Sequence, residues 1–194
     1  MTTIGWIRHG VTDWNLERRA QGQTDIPLND AGRAQARLVA ERLKGEEAWD
    51  VVYSSDLSRA KETAETIGKA LGLPVRLDER LREMSFGTME GTTPEERVIQ
   101  FGSGWETLDF GRETPEAAAA RGASFVEDVL ARHAGERVLI VSHGALIGST
   151  LRRLAPEAEL REHLGNTSVT IFAFRDDAWT CELYNCTKHI ESSR

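Results

Sequence analysis

Short apolar runs separated by segments of helical periodicity make up most of the chain. Each run is bounded by turn residues or glycine, which is typical of a strand buried within a sheet. The predicted strands span residues 4–8, 51–53, 75–77 and 137–141. The last run, Arg-Val-Leu-Ile-Val, is the clearest of the four, because all its residues after the arginine are apolar and β-branched or leucine.

Between these runs, apolar residues recur at intervals of three and four, which predicts amphipathic helices. Residues that favour the first turn of a helix precede three of them: Asn29 or Asp30, the segment Ser54-Ser55-Asp56, and Thr114 followed by Pro115. A further helix is predicted from Gly144 to about Leu154, because Pro156 cannot continue it.

Two late segments, 168–174 and 179–184, alternate apolar and polar residues around a turn and predict an antiparallel pair. Strands that alternate with helices and end in such a pair predict an α/β fold: a three-layer α/β/α sandwich whose mostly parallel central sheet has an antiparallel edge strand. We expect a single domain over residues 1–194, since no flexible linker divides the chain. Residues 92–114 are interpreted as a small helical and loop insert over the active site.

The charge balance limits the partners of this protein. The 24 basic and 31 acidic residues give a formal net charge of −7, which argues against a general nucleic-acid or anionic-membrane binder. Residues 1–4 lack the basic and apolar regions of a signal peptide, and no apolar run approaches membrane-spanning length, so we expect a cytoplasmic protein without a membrane partner. The oligomeric state stays open, and a homodimer is one option.

Chemically active side chains follow the predicted strands. In parallel sheets ligands bind beyond the carboxyl ends of the strands, so residues just after those ends should share one site. They include Arg8, His9, Arg59, Glu83 and His143. Two histidines, two arginines and a glutamate are therefore expected to converge from four separate segments.

This set of residue types suits the cleavage of a small phosphate monoester. Arg8 and Arg59 would grip phosphate oxygens, and His143 would add a donor, reinforced by the amides of the helix that begins near Gly144. A neutral imidazole at His9 would attack phosphorus, because neighbouring cations disfavour its protonated form.

Glu83 is the candidate general acid that protonates the leaving oxygen and afterwards activates water. Each residue alone has a structural alternative: an arginine such as Arg59 often pairs with a nearby glutamate, and a single histidine is more often structural. A metal site at His9 and His143 is disfavoured, because no carboxylate or cysteine stands at ligand spacing from either, and we predict no metal and no cofactor.

Five ordered motifs resemble those of the histidine phosphatase superfamily, the group that includes cofactor-dependent phosphoglycerate mutases. They are Arg8-His9-Gly10 with Thr12 to Asn15, Gln21-Gly22, Ser54 to Ala60 with Glu62-Thr63-Ala64, Glu83 with Glu90-Gly91, and Ser142-His143-Gly144. The resemblance implies a phosphoglycerate mutase-like fold, His9 as the phosphorylated nucleophile, phosphate contacts from Arg8, Arg59 and His143, and Glu83 as acid and base. It also implies that Asn15 and Gln21 touch the phosphate.

Three functions fit these motifs. A phosphatase passes the phosphoryl group to water, whereas a phosphoglycerate mutase passes it to a second substrate hydroxyl. Residues 92–114 contain few basic residues and three aromatic ones, Phe101, Trp105 and Phe110. This apolar character favours the broad-specificity phosphatases of the family. Packing of those aromatic residues within the insert is an equally good explanation. A non-catalytic module that binds a phosphorylated ligand or a protein partner ranks below both enzymes.

Overall fold

The predicted strands lie side by side in one mixed sheet. The computed structural model describes residues 1–160 and 163–191. Its strands are β1 (Thr2–Arg8), β2 (Val51–Ser54), β3 (Val75–Leu77), β4 (Arg137–Ser142), β5 (Val169–Arg175) and β6 (Ala178–Cys186). They form a six-stranded sheet in the order β3-β2-β4-β1-β5-β6. The first four are parallel, and β5 runs antiparallel to both of its neighbours. The predicted parallel sheet with an antiparallel pair at one edge is confirmed.

Helices cover both faces of this sheet. The described residues form α1 (Asp13–Leu16), α2 (Asp30–Lys44), α3 (Ser58–Leu71), α4 (Pro94–Phe101), α5 (Pro115–Arg132), α6 (Gly144–Leu154) and α7 (Lys188–Glu191). Successive side chains of a strand point to opposite faces. On β1, Trp6 packs with α5 and α6, whereas Ile7 packs with α2 and α3 on the other face. Two apolar cores enclose the sheet, and the predicted three-layer α/β/α sandwich is confirmed.

Two of the predicted helix starts use the expected capping residues. The side chain of Asn29 accepts a hydrogen bond from the amide of Gly32 (2.9 Å) and caps α2. Thr114 accepts from the amide of Ala117 (3.1 Å), with Pro115 in the first turn of α5. These helices begin where their sequences predict, because side-chain oxygen atoms satisfy amides that lack partners within the helix.

The predicted polar cap of α3 was wrong. Its N-cap residue is Leu57, which makes no side-chain capping bond. The polar residues before it have other partners: Ser55 Oγ lies 2.9 Å from the imidazole of His143, and Asp56 forms a two-bond ion pair with Arg82. Ser55 and Asp56 therefore bind side chains of distant segments, although local sequence preference predicts that this segment caps the helix.

Residues 92–114 form α4, a short 3₁₀ turn at Trp105–Thr107, and connecting loops. Phe110 is buried, with its ring centroid 5.3 Å from that of Phe101 and 6.4 Å from that of Trp105. The guanidinium of Arg97 lies 4.4 Å from the centre of the Trp105 ring. The aromatic side chains thus pack the segment onto itself. No helix among the described residues has the length and apolarity that crossing a membrane requires.

Helices α5 and α6 approach each other closely at Gly122. A Cβ atom at this position would overlap the hydroxyl of Thr150, which is fully buried. We expect Gly122→Ala to lower the free energy of unfolding by about 1–3 kcal/mol, as overpacking of a close-packed core does. Urea denaturation monitored by circular dichroism measures this loss.

Gly104→Ala is the matched control, because position 104 is exposed and an added Cβ atom would meet nothing within 4 Å. Adding Thr150→Ala to the Gly122 variant should recover part of the lost stability by removing the overlapping hydroxyl. Equal unfolding free energies for the variants at 122 and 104 would contradict this account of the helix crossing.

Candidate active site

The carboxyl ends of the parallel strands open into a cavity of about 430 Å³. Hydrogen bonds connect the ends: the amide of His9 donates to Ser142 O (3.0 Å), and that of Ser55 donates to Val141 O (3.0 Å). Most of the residues predicted from the sequence line the cavity, namely Arg8, His9, Asn15, Gln21, Arg59, Glu83 and Gly144. His143 lies against His9 with ring centroids 5.1 Å apart. The structure therefore brings all eight together.

One hydrogen bond of His9 fixes the chemical state of its ring. The side chain is 2% exposed, and Nδ1 lies 2.7 Å from the carbonyl oxygen of Gly10. Since a carbonyl oxygen can only accept, Nδ1 carries the proton of the neutral ring. The lone pair then resides on Nε2, and this nitrogen is the one available as a nucleophile.

The surroundings of His9 keep its ring neutral. Burial lowers the pKa of His9 well below its ordinary value, and the positive charges of Arg59 and Arg8 lower the pKa further. The hydrogen bond to Gly10 opposes this shift only in part. The ring is therefore uncharged at neutral pH, as the sequence analysis predicts.

Backbone carbonyl groups orient the two arginines. Arg8 Nη1 donates to Leu164 O (2.6 Å), and Arg59 donates from Nη1 to Thr24 O (2.9 Å) and from Nη2 to Gly22 O (2.7 Å). The Nε atoms of both arginines are buried without a hydrogen-bond partner in the described part of the chain. Burial lowers the pKa of Arg59 to about 10, so the group stays charged at neutral pH. Two cations with unused donors are therefore held at the cavity.

His143 is fully buried at the junction between β4 and α6. Its Nε2 lies 2.9 Å from Ser55 Oγ, and its Nδ1 has no partner among the described residues. Burial, followed by the charge of Arg59, lowers the pKa of His143 well below its ordinary value. A buried imidazole with one unused nitrogen beside two arginines has the chemistry of a further phosphate donor.

The first turn of α6 holds the carboxylate of Glu83. Its Oε1 accepts from the amides of Met84 (2.8 Å) and Leu146 (2.9 Å), and its Oε2 accepts from Ala145 (3.2 Å). These amides fix the orientation of the Glu83 carboxyl group at the N-terminus of the helix. Glu83 also lines the cavity, where it is placed to exchange a proton with a bound ligand.

Arg121 on α5 supports the backbone that carries Glu83, and the sequence analysis missed it. Its guanidinium donates to the carbonyls of Arg80 (2.7 Å) and Arg82 (2.8 Å) and forms two bonds with Glu113 (2.7 and 3.1 Å). In the sequence, Arg121 is indistinguishable from a solvent-exposed helical arginine. Nothing there indicates its role, because its partners are backbone oxygens about 40 residues away.

Glu90 is a second residue whose role the sequence did not reveal, although it belongs to one of the motifs. Its carboxylate accepts from the amides of Gln23 (3.1 Å), Thr24 (2.9 Å) and Phe86 (3.0 Å). Thr24 in turn supplies a carbonyl to Arg59. Glu90 thereby connects the loop that orients this arginine to the segment that follows Glu83.

Asn15 and Gln21 belong to one polar network beside His9. Asn15 Oδ1 accepts from the amide of Thr12 (3.1 Å) and from Asn166 Nδ2 (3.2 Å), and the Thr12 hydroxyl donates to Gln21 Oε1 (2.9 Å). Asn166 also donates to the carbonyl of His9 (3.0 Å). With both amide oxygens engaged, the NH₂ groups of Asn15 and Gln21 are the ends left to donate to a ligand.

The rest of the cavity lining consists of residues that the sequence did not single out for the site. It contains Met84, Phe86, Pro115 and His163, together with Gly148, Ser149 and Arg152 of α6. Residues 92–114 are all described, and none of them lines the cavity. Two statements about this insert stay predictions: that it lies over the active site, and that it helps to select substrates.

The sequence model of the histidine phosphatase superfamily (branch 1) matches residues 4–187. Phosphoglycerate mutase-like protein 4 of Arabidopsis thaliana is 39% identical over 96% of this chain and 86% of its own. The Bacillus subtilis protein named uncharacterized phosphatase PhoE is 35% identical over 98% of this chain and 97% of its own.

The fold is also found in solved structures. A mycobacterial glucosyl-3-phosphoglycerate phosphatase in complex with VO3 superposes with a TM-score of 0.87 at 30% identity, covering 95% of this chain and 99% of that one. The family model spans residues 4–187, and the PhoE protein matches over nearly the full length of both chains. The chain belongs to the histidine phosphatase superfamily.

Proposed function

We propose that this protein is a phosphatase that hydrolyses small phosphate monoesters through a phosphohistidine at His9. The observation that carries the proposal is the neutral imidazole of His9. Its Nδ1 bears the ring proton and donates a hydrogen bond to Gly10, and two guanidinium groups lie beside the ring. Relatives named phosphatases, among them a metal-independent phosphoserine phosphatase of Arabidopsis thaliana at 34% identity, support the same reaction class.

The first step transfers the phosphoryl group to the enzyme. Nε2 of His9 attacks phosphorus, the P–N bond forms as the ester P–O bond breaks, and the phosphate oxygens bind to donors of Arg8, Arg59 and His143. The ester oxygen leaves with the bonding electron pair and takes a proton from Glu83, which stands at the cavity wall. Protonation matters here because an alkoxide is a poor leaving group.

The second step returns the enzyme to its starting state. Glu83, now a carboxylate held by three amides, accepts a proton from water as the water oxygen attacks phosphorus. The P–N bond breaks, its electron pair returns to Nε2 of His9, and inorganic phosphate is released. Asn15 and Gln21 would donate their NH₂ groups to the same phosphate oxygens.

Replacement of His9 tests the nucleophile. We expect the wild-type protein to hydrolyse p-nitrophenyl phosphate without added metal, and His9→Ala to abolish this activity, because the variant has no imidazole to accept the phosphoryl group. Absorbance of the released p-nitrophenolate, read after base is added, measures the rate. Acid-labile, base-stable phosphoprotein should form in the wild type alone, whereas turnover by the alanine variant would refute the assignment.

Replacement of Glu83 tests the general acid. For Glu83→Gln we expect kcat/KM with an alkyl phosphate to fall about 10²- to 10⁴-fold, the usual contribution of a general acid. The loss with p-nitrophenyl phosphate should be much smaller, since p-nitrophenolate leaves without protonation. Glu79→Gln is the control, because Glu79 is exposed and does not line the cavity. Equal losses for both substrates would argue against proton donation by Glu83.

The pKa of His9 predicts the acid limit of activity. Because the pKa is lowered in the folded protein, the ring stays neutral as pH falls through 6.5, the ordinary value, and becomes protonated only well below it. We expect kcat/KM for p-nitrophenyl phosphate, whose leaving group needs no protonation, to be unchanged between pH 7 and 6 once it is corrected for ionisation of the substrate. Histidine ring signals in an NMR titration, assigned with His9→Ala, give the pKa directly. A midpoint at or above 6.5 for His9 would contradict the prediction.

Phosphoglycerate mutase activity is the second candidate, since relatives with 39% and 37% identity are named for it. A mutase would pass the phosphoryl group from His9 to a second substrate hydroxyl, with both phosphoglycerates interconverting faster than phosphate is released. A coupled assay of both products distinguishes the two reactions.

Cytoplasmic location and the lack of nucleic-acid or membrane partners also stay predictions, and a homodimer is an option.

A further inference from the structure

Ser55 is a fully buried side chain beside the active site, and the chemistry described above does not use it. Its hydroxyl oxygen has two hydrogen-bond contacts: the amide of Leu57 donates to it (3.3 Å), and Nε2 of His143 lies 2.9 Å away. Among residues 1–160 and 163–191 this hydroxyl has no third partner. The contact with His143 is therefore the one in which the hydroxyl proton can take part.

The protons of this pair can be arranged in two ways. A serine hydroxyl carries one proton, and a neutral imidazole carries one on either of its nitrogens. In the first arrangement Ser55 donates to Nε2 of His143, and the ring proton lies on Nδ1. In the second, Nε2 donates to Ser55, Nδ1 bears a lone pair, and the serine proton has no acceptor in the described part of the protein.

A bound phosphoryl group favours the first arrangement. Nε2 of His143 is bound to Ser55, so Nδ1, which is buried and lacks a partner among the described residues, is the nitrogen left for a ligand. Phosphate oxygens accept hydrogen bonds, and a lone pair on Nδ1 could not donate to them. Only a proton on Nδ1 pairs the serine, the imidazole and the phosphate together, and an unpaired buried polar group costs free energy.

The position of this proton matters because the ring has only one. Burial and the charge of Arg59 lower the pKa of His143 well below its ordinary value, so at neutral pH the imidazole is uncharged. A charged ring would donate from both nitrogens, whereas a neutral ring donates from one and accepts at the other. His143 can therefore act as a phosphate donor at neutral pH only if its tautomer is the correct one.

We propose that Ser55 is a positioning residue that holds His143 as the Nδ1-protonated tautomer, so that a neutral imidazole donates a hydrogen bond to the phosphoryl group. His9 has the same tautomer and the opposite use: Gly10 O binds its Nδ1 proton (2.7 Å), which leaves Nε2 to attack. Two rings 5.1 Å apart thus offer the phosphoryl group a nucleophile and a donor. This inference rests on the proposed phosphatase activity and adds a residue that acts on it through His143.

Nitrogen-15 NMR of histidine-labelled protein tests the tautomer without any change at position 55. Protonated and unprotonated ring nitrogens differ in chemical shift, and His143→Ala assigns the signals of His143. We expect Nδ1 to bear the proton at pH 7, both in the free protein and with orthophosphate bound. A proton on Nε2 instead would overturn the proposal.

Removal of the hydroxyl tests the role of Ser55 itself. In Ser55→Ala nothing donates to Nε2, so we expect His143 to populate its Nε2-protonated form in the free protein. Orthophosphate should bind about two- to tenfold more weakly, the contribution of one neutral hydrogen bond, as isothermal titration calorimetry measures. Ser54→Ala is the control, because Ser54 is equally buried but its hydroxyl donates to the carbonyl of Ser55. It should keep the wild-type tautomer of His143.

Ser55→Thr separates the donor from the space that the side chain fills, because it retains a hydroxyl and should retain the wild-type tautomer. An unchanged tautomer in Ser55→Ala would overturn the role of Ser55, while the phosphatase proposal, which depends on His9, would stand. A wild type that neither hydrolyses p-nitrophenyl phosphate nor binds orthophosphate would overturn the phosphatase proposal and this inference with it.

Discussion

The burial of two guanidinium groups at one edge of the sheet is the constraint on which the rest of the site depends. Cations removed from water destabilise a protein unless polar groups surround them. Carbonyls of Gly22, Thr24 and Leu164 provide such groups here, and the nearby charge of Glu83 favours the charged form of both arginines. Burial lowers the pKa of both imidazoles, and the same positive charges lower it further. The neutral state of the nucleophile thus follows from the burial of its ring together with the two arginines.

Much of the fold could be predicted from the sequence, because each strand and major helix carries a strong local pattern. The run at 137–141 is apolar at every position that faces a core, and β4 has cores on both of its faces. The convergence of Arg8, His9 and Glu83 followed from one topological rule, that the carboxyl ends of parallel strands share an edge. Local pattern and global topology agree in this part of the chain, which is why the prediction succeeded.

The residues that the sequence did not reveal act through the backbone of distant segments. Arg121 binds carbonyls near Glu83, and Glu90 binds amides of the loop that orients Arg59. Such contacts leave no periodicity and need no particular spacing, so only the assembled fold identifies them. Ser55 and Asp56 illustrate the converse, because a good helix-cap signal yielded to partners brought close by tertiary structure.

The buried nitrogen donors that lack protein partners have a consequence for regulation. Orthophosphate presents the same oxygens as the transferred group, so donors on Arg8, Arg59 and His143 would bind the product by the contacts that bind the substrate. Free phosphate would then compete with the substrate for the site wherever it is abundant. Under the proposed roles, a cell replete with phosphate would hold part of this enzyme in an inhibited form, and phosphate starvation would relieve the inhibition.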